Sequence, residues 1–480
     1  KYVSDVHELQ FKQHFKDLQY VLGAFWMHEK NQINYAQEYL VTAPFGFPIS
    51  QYYNQPNRQI DAKALFAQTD WQFAPTWTAT IGGRYSWDSK TDQGGKVFGG
   101  EWDSTSPAYY NGLFQPGVPG DPDFHAHNGM QLTNGMGPLA GTGAYALYQA
   151  PAQNDHGMSW KKFTYRFGLM KQISANDMVY SSLSTGYKSG GFGDKDNICG
   201  THECVSGPTP QYSFFPYAPE TVTNLELGYK GKMLDNRLSF SATLFYSKYK
   251  DMQVTGDNFA ALVKHDGPCP SENPTCDVVV KYQTVNVGVV DIPGLELEFD
   301  YKPWKGARLG GFFSYINSKM KDYPSFHDGW GCGVREEFGA VPCPETYVGS
   351  NRALAGRQIY DITGNHLPLS PKYTFGLNFS QNIALGNNYV LIPWVAVKWQ
   401  DKMYFTLRNI DNAHISDAQK AYAKVDASLK LLAPNNWHVE AYVLNLTNAK
   451  TKNSAGDAGG FIRGTYNDPR MFGVRVGVEY

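Results

Sequence analysis

The composition of this 480-residue chain argues against a nucleic-acid-binding protein, because the formal charge is −2 and no basic cluster stands out. Nothing along the chain resembles an interdomain linker, so we expect one large architecture. Aromatic residues make up 15% of the chain and charged residues only 18%, a balance that suits a β protein with tyrosine at an interface.

No segment approaches the roughly 20 apolar residues of a membrane-spanning helix. Spanning by strands stays open, because only every second residue of a barrel strand is apolar. The chain opens on "KYVSDVHELQ", with neither an initiator Met nor a signal peptide. We therefore expect that residues upstream of Lys1 have been removed or were never part of this chain.

Apolar and polar residues alternate in about fifteen segments, many close to the 9 to 11 residues that a tilted strand needs to cross a bilayer. In chain order they include "VHELQFKQHF", "KFTYRFGLM", "RLSFSATLFYSKY", "GLELEFDYK", "KYTFGLNFS", "AYAKVDASLKLL" and the closing "RMFGVRVGVEY". The alternation gives each strand one apolar face and one polar face. In "GLELEFDYK" the polar face is too charged for a packed interior, which indicates a wet one.

Short and long connections alternate between these segments. The short ones are "KD", "PT", "SAND", "MLDN", "KPWKGA", "ALGNN" and "APNN", and the long ones span 31–62, 93–160, 189–220, 252–278, 321–371, 406–420 and 450–469. If neighbouring strands are antiparallel, all tight turns lie at one end of the sheet. This sidedness is typical of an outer-membrane barrel with short periplasmic turns and long extracellular loops, and it disfavours a β-sandwich or a propeller.

The number of segments predicts where the chain sits in its barrel. The last strand should run down to the periplasm, and fifteen strands back "VHELQFKQHF" should descend as well. The first strand would then start on the outer side, whereas bacterial barrels have even strand counts with both ends in the periplasm. We expect the C-terminal part of a larger barrel.

The six cysteines form three close pairs in the long loops. The pairs are Cys199 with Cys204, Cys269 with Cys276, and Cys332 with Cys343. Metal ligation is the alternative, but there is no CxxC spacing and His202 is the only nearby histidine. We expect three local disulfides, since the exterior and the periplasm are oxidising.

Several motifs resemble those of TonB-dependent outer-membrane receptors. They are "YSSLSTGYKSGGFGDKDN" followed by "YAPETVTNLELGYKGKMLDNRLSFSATLFYSKYKDMQV", then "NVGVVDIPGLELEFDY", "VLNLTNAKT" and "NDPRMFGVRVGVEY". The resemblance covers at least residues 161–480. It implies a 22-stranded barrel filled by an N-terminal plug, so that residues 1–480 would be the C-terminal barrel portion, without the plug, the first strands or the TonB-contacting box. It also implies that the terminal Tyr480 is an assembly signal; an interfacial aromatic is the alternative reading.

Charged residues on the polar faces should point to water or to the plug, because Arg or Lys facing lipid at mid-depth costs roughly 2 to 4 kcal/mol. This set contains Arg166, Glu226, Lys230, Glu296, Glu298, Asp426, Lys430, Arg475 and Glu479. We expect these residues to hold the plug by polar contacts that can be rearranged.

Substrate contacts should come from aromatic and basic residues of the long loops. The candidates are Trp102, Tyr109, Tyr110, Phe114, Phe124, Tyr212, Phe214, Phe215, Trp330, Arg335, Tyr347 and Arg357. Ordinary loop packing is the alternative for most of them. A cluster of Asp121, Asp123, His125 and His127 could bind a metal, but such a cluster is more often a solvated loop, and we assign neither a metal site nor a cofactor.

The sequence contains no catalytic constellation: there is no GxSxG, HExxH or Walker loop. We expect no enzyme but a receptor in the bacterial outer membrane. The resemblance to TonB-dependent receptors implies that it contacts outer-membrane lipid and the TonB complex and imports a large scarce solute such as a ferric siderophore. Cobalamin or an oligosaccharide are the next candidates, and a surface lipoprotein over the loops is left open as a further partner. The alternatives are a passive porin and a surface binding or adhesion barrel.

Overall fold

The structure, a computed structural model, describes residues 2–39, 49–98, 156–192, 196–197, 212–213, 216–262, 278–321, 326–327, 359–360, 362–409, 411, 416–457 and 462–478. Within these residues the chain is almost entirely β. The only helical element in this described part of the chain is a 3-10 turn at Gly386–Asn388. In the described part of the chain, no helix has the length and apolarity needed to cross a membrane.

Fifteen long strands carry the fold, and we number them in chain order. The first eight are β1 Tyr2–Phe15, β2 Leu18–Tyr39, β3 Ile49–Ala74, β4 Trp77–Phe98, β5 His156–Gln172, β6 Asp177–Lys188, β7 Glu220–Met233 and β8 Leu238–Leu262. The others are β9 Val278–Tyr301, β10 Ala307–Ile316, β11 Tyr373–Gln381, β12 Val390–Gln400, β13 Tyr422–Leu432, β14 Trp437–Leu444 and β15 Met471–Val478.

Each long strand pairs antiparallel with the next one along the chain, as in an outer-membrane barrel. Together with the two-residue strands Lys319–Met320 and Ile383–Ala384 they form one 17-stranded sheet. Among the described residues β1 and β15 do not pair with each other, so the sheet is open. The prediction of about fifteen alternating strands is confirmed.

Among the described residues, ten further short strands lie outside this sheet and pair with one another. They are Gly191–Phe192 with Pro216–Tyr217, Asp196–Asn197 with Tyr212–Ser213, Phe326–His327 with Ile359–Tyr360, Met403–Tyr404 with Ala418–Gln419, and Lys452–Asp457 with Ile462–Tyr466. All of them belong to the long connections. The alternation of short and long connections is therefore confirmed as well.

The predicted boundaries of the first long connection were wrong. It was expected over 31–62, but β2 and β3 stay paired as far as Tyr39 and Ile49, and only 40–48 separates the two strands. The reason is that the ladder continues after the apolar alternation stops. Beyond the hydrocarbon layer both faces of a strand can be polar, so hydrophobic periodicity underestimates its length.

Several tight turns contain residues with left-handed backbone angles. Lys16 has φ 53° between β1 and β2, and Gly306 has φ 82° between β9 and β10. Asn387 and Asn388, with φ of 59° and 63°, occupy the turn between β11 and β12. Asparagine and glycine accept this conformation at low cost, which keeps these connections short.

Cross-strand register places the apolar side chains on one common face. Across β4 to β9 the partners in one row are Ala79, Leu169, Ser181, Leu227, Leu244 and Leu295. Leu227 and Leu244 are 57% and 53% exposed on this face. At the far edge Val474 and Val476 belong to the same face and are 67% and 73% exposed. An exposed apolar face of this extent suits contact with lipid.

Aromatic residues bound this apolar face at both ends. Near the turns Phe73 lies 5.6 Å from Trp71 and 6.3 Å from Trp77, measured between ring centroids. Near the long loops Tyr85 and Trp87 are 4.5 Å apart on β4. Such girdles are typical of the two membrane interfaces, so we take the strand segments between them as membrane-spanning.

A small apolar core lies above the outer ends of β8 and β9. Val287 and Val290 are fully buried there, against Met320, Ile362 and Leu407 from the connections that follow. Hydrogen bonds reinforce this packing, since the Asn365 side chain donates to the Leu407 carbonyl at 2.8 Å. The described parts of these connections therefore fold on the barrel rim.

Candidate functional site

The second face of the sheet carries the predicted charges. Eight of the nine side chains lie on it, as their cross-strand partners show: Arg166, Glu226, Lys230, Glu296, Glu298, Asp426, Lys430 and Arg475. Glu479, the ninth, lies outside the described residues. Because charge is excluded from the lipid side at mid-depth, this polar face lines the interior of the barrel.

Several of these charges have specific local partners. Glu226 accepts hydrogen bonds from the Asn224 side chain at 2.7 Å and from Ser182 at 3.5 Å. Arg475 forms an ion pair with Glu440 at 3.0 Å. Glu226 and Arg475 are therefore held by neighbouring side chains of the same polar face.

Two of the carboxylates stand apart from the others. Glu296 and Glu298 are exposed, and neither makes an ion pair or a side-chain hydrogen bond with another described residue. Asp426 differs, since it accepts a hydrogen bond from the backbone N–H of Asn445 at 2.7 Å and so anchors the connection after β14. Glu296 and Glu298 are therefore the two carboxylates of this set that are exposed without a partner among the described residues.

Aromatic rings on the polar face lie across glycines of the neighbouring strand. The pairs are Phe66 over Gly23, Tyr180 over Gly228, Phe245 over Gly294, Phe312 over Gly376, and Tyr442 over Gly473. A Cβ atom at Gly294 would come within 2.1 Å of the Phe245 ring. The glycines thus make room for rings that lie along the wall, a known way to stabilise strand pairs in sheets.

A cavity of about 220 Å³ lies at the outer end of this face. It is lined by Glu29, Asn31, Arg58, Gln59, Ile60, Lys90, Thr91, Asp92, Phe192 and Tyr217. The first eight come from β2, β3 and β4, whereas Phe192 and Tyr217 come from the connection between β6 and β7. That connection therefore folds over the polar face and closes the cavity on one side.

Opposite charges line the cavity. Arg58 forms an ion pair with Asp92 at 3.2 Å, and the Asp92 side chain is only 2% exposed. Lys90 donates a hydrogen bond from Nζ to the Gly190 carbonyl at 2.7 Å and lies 5.7 Å from the centre of the Trp160 ring. These contacts tie the connection to β4 and give the cavity fixed hydrogen-bonding groups.

Burial perturbs the titratable groups here, which lie beyond the outer girdle. It lowers the pKa of Lys90, and the nearby Asp88 carboxylate opposes that shift. It also raises the pKa of Asp88 and of Tyr217. A low-polarity environment strengthens the interaction of these groups with a polar solute.

Sequence reasoning did not find the cavity. Its signal is the alternation of Asp88, Lys90 and Asp92 on one face of β4, beyond Trp87, where polar residues occupy every second position. A charged stripe that continues past an aromatic girdle indicates a strand that extends above the membrane. Glu29 on β2 and Arg58 on β3 are charged residues that indicate the same extension of their strands above the membrane.

The loop candidates lie almost entirely outside the described residues. This holds for Trp102, Tyr109, Tyr110, Phe114, Phe124, Phe214, Phe215, Trp330, Arg335, Tyr347 and Arg357. Tyr212 is described only in its backbone, where it pairs with Asn197. The substrate-binding roles remain predictions.

The structure also does not describe the cysteines, the predicted metal cluster or the last residue of the chain. Cys199, Cys204, Cys269, Cys276, Cys332 and Cys343 lie outside the described residues, as do Asp121, Asp123, His125, His127 and Tyr480. The disulfides and the assembly signal therefore remain predictions. Among the residues that the structure describes, no group of three His, Cys, Asp or Glu could hold a metal ion.

Comparison with solved structures shows the same fold at low sequence identity. The receptor FyuA from Yersinia pestis, a ferric yersiniabactin uptake receptor, superposes with a TM-score of 0.64 at 17% identity, over 100% of this chain and 54% of that one. The siderophore receptor PiuA from Acinetobacter baumannii gives 0.59 at 15% identity, over 100% and 56%. The copper transporter OprC gives 0.57 at 12% identity, over 100% and 57%.

The chain thus spans a little over half the length of these proteins. Its fold, an antiparallel sheet with one apolar and one polar face, is that of a bacterial outer-membrane barrel. A family model described as TonB dependent receptor-like, beta-barrel, matches residues 2–446. The match covers the open sheet from β1 through β14. The chain belongs to the TonB-dependent receptor-like β-barrel family.

Proposed function

We propose that this chain is the barrel portion of an outer-membrane receptor that imports a scarce solute with energy delivered through TonB. The proposed cargo is a ferric siderophore or another iron complex. The protein binds and moves this cargo without covalent chemistry and is not an enzyme. TonB acts through a plug domain seated against the polar face.

One observation carries this proposal. The polar face is continuous around the sheet and presents Glu296 and Glu298 without partners among the described residues, while the cavity with Arg58 and Lys90 lies at its outer end. A polar face of this kind suits contact with a polar plug domain inside the barrel and with a polar solute at the outer end. Two of the matched solved structures are siderophore receptors, which favours an iron complex as cargo.

The mechanism follows from this arrangement. The long loops and the cavity bind the solute at the cell surface, where Arg58 and Lys90 supply cationic groups in a partly buried setting. The plug holds the lumen closed through polar contacts with the wall. Pulling by TonB rearranges those contacts, and the solute passes along the polar face.

Uptake in the host strain tests the proposal. The gene for the full-length receptor is deleted, and import of a panel of ⁵⁵Fe-labelled siderophores is measured with and without an intact TonB gene and proton gradient. We expect uptake of at least one labelled complex to be lost when the receptor gene is deleted. The same uptake should be lost when either the TonB gene or the proton gradient is removed. Uptake that survives loss of TonB and of the gradient would instead indicate a passive porin. If deletion changes no uptake but reduces surface attachment, the adhesion alternative replaces the proposal.

Point variants test the cavity within the same assay. Arg58→Gln together with Lys90→Gln should weaken apparent solute affinity at unchanged receptor level in the membrane. The matched control is Lys232→Gln with Arg237→Gln, which removes the same charge at the turn end. Equal uptake by both variants would contradict a role for the cavity in binding.

A further inference from the structure

The floor of the cavity places an acid and a base on either side of an apolar side chain. Glu29, Ile60 and Lys90 are successive cross-strand partners on β2, β3 and β4, so they form one row across the polar face. Neighbouring strands lie about 4.8 Å apart, which places the Cα atoms of Glu29 and Lys90 about 10 Å from each other. A solute that lies along this row meets a carboxylate at one end and an ammonium group at the other.

The next row toward the outside carries no net charge. It consists of Asn31, Arg58 and Asp92 in the same register, and the ion pair between Arg58 and Asp92 balances its two charges. Together with Glu29 and Lys90, the cavity is lined by two carboxylates and two cations, so its formal charge is zero. The lining therefore favours a solute group with one charge of each sign over a group that carries negative charge alone.

Both charged ends of the floor keep hydrogen-bonding capacity for a solute. The Lys90 ammonium donates to the Gly190 carbonyl at 2.7 Å, which uses one of its N–H groups. The Glu29 carboxylate accepts a hydrogen bond from the Tyr2 hydroxyl at 3.1 Å through a single oxygen. Within the described part of the chain, these contacts orient the two groups without saturating them.

Side chains of β8 and β9 hold the roof of the cavity, which is formed by the two aromatic residues of the connection between β6 and β7. The Asn286 side chain on β9 accepts a hydrogen bond from the Ala218 N–H at 2.6 Å and donates one to the Ala218 carbonyl at 2.9 Å. Gln253 on β8 donates to the Ser189 carbonyl at 2.8 Å. Both ends of the connection are thus fastened to neighbouring strands, so the space under the aromatic rings is limited.

We propose that the cavity binds an amino-acid-type group of the cargo, in which a short apolar chain separates an ammonium group from a carboxylate. This inference rests on the proposed function in taking the cavity as the cargo site. The solute ammonium contacts Glu29, its carboxylate contacts Lys90, and its methylene groups lie over Ile60. With about 3 Å for each hydrogen bond within a span of about 10 Å, about 4 Å remains between the two solute groups, which suits a 3-amino or 4-amino acid.

The size of the cavity limits what enters it. Its volume of about 220 Å³ is below the roughly 300 Å³ at which sites for drug-sized ligands begin. The cavity therefore takes a pendant group of the cargo, and the remainder of the cargo lies outside it. A cargo without such a group would gain nothing from the pairing of Glu29 with Lys90.

Saturation-transfer NMR of the purified full-length receptor in detergent tests the proposal, with 4-aminobutyrate, butyrate and butylamine as probes. For so small a solute, the Kd of 4-aminobutyrate should be on the order of 1 mM. Butyrate and butylamine should each bind about tenfold more weakly, because each lacks one charge-assisted hydrogen bond.

The variants separate the two ends of the row. E29Q should weaken 4-aminobutyrate binding about tenfold and leave butyrate binding unchanged, whereas K90Q should weaken 4-aminobutyrate binding about tenfold and leave butylamine binding unchanged. Glu8 and Lys162 lie on the same polar face, on β1 and β5, outside the cavity. The matched control E8Q/K162Q should therefore bind all three probes as the wild type does.

Two results on the wild type alone would overturn the proposal: 4-aminobutyrate that binds no tighter than butyrate, or no tighter than butylamine. So would a loss of butyrate binding in E29Q, or of 4-aminobutyrate binding in E8Q/K162Q, as large as the loss of 4-aminobutyrate binding in E29Q. Probe binding requires neither TonB nor the proton gradient, so failure of this inference is distinguishable from failure of energised import in the host strain. Heat-modifiable mobility in electrophoresis establishes that each variant is folded before it is compared.

Discussion

Replacing Leu244 with arginine tests the assignment of the two faces. Leu244 lies on the apolar face of β8 between Leu227 and Leu295, and 53% of its side chain is exposed. On the same face it is two residues from Tyr246 and four from Phe240, which is about 7 and 13 Å along a strand. Its position is therefore inside the apolar band and away from both interfaces.

Arginine at such a depth costs roughly 2 to 4 kcal/mol, so Leu244→Arg should lower the folding equilibrium constant by about 30-fold to 900-fold. The adjacent Thr243 faces the lumen beside Glu296, so Thr243→Arg should cost less and gain an ion pair. Leu244→Ala separates loss of the leucine from addition of the charge. The free energy of unfolding is measured by urea titration of the full-length protein in liposomes. If Thr243→Arg lowers this free energy as much as Leu244→Arg does, the assignment of the two faces is refuted.

Three further expectations concern the wall and the rim. Glu298→Lys should leave barrel assembly intact but make the plug of the full-length receptor easier to cleave with protease; a protected plug in a collapsed barrel would contradict this. Gly294→Val should destabilise the barrel by about 1 to 3 kcal/mol, because the Phe245 ring occupies the space, and Phe245→Ala in the same protein should recover part of it. Lys402 donates a hydrogen bond to Asp411 and holds the pKa of that carboxyl below its ordinary value of 3.8. The stability from this contact is present above that value and is lost as the pH falls through the depressed pKa. Amide exchange of residues 402–409 should therefore rise at low pH in the wild type and show no such step in Asp411→Asn.

The lipid face and the topology could be predicted from the sequence because each is written in local patterns. Alternation in "RLSFSATLFYSKY" gives the faces of β8, and the contrast between "KD" and the long excursions gives the sidedness of the sheet. Both patterns follow from the bilayer, which imposes the same length and polarity on every strand. The charges on the polar face could be predicted for the same reason.

The outer ends of the strands and the cavity could not be predicted in this way. Beyond the girdle the bilayer no longer selects side chains, so β2 and β3 continue without the apolar signal. The cavity also depends on register, since Arg58 and Asp92 meet only when β3 and β4 pair as they do. Phe245 was missed as a lumen residue because its stabilising partner, Gly294, lies 49 positions away in the sequence.

The aromatic rings that lie across glycines on the polar face determine how smooth the inner surface of the barrel is. Since Phe245, Phe312 and Tyr442 spread sideways over neighbouring strands, bulky groups add little height to the wall. A domain seated against so smooth a surface is gripped mainly by charge and hydrogen bonding and hardly by interlocking shape. Such a domain can slide once its polar contacts are exchanged, with no distortion of the surrounding cylinder.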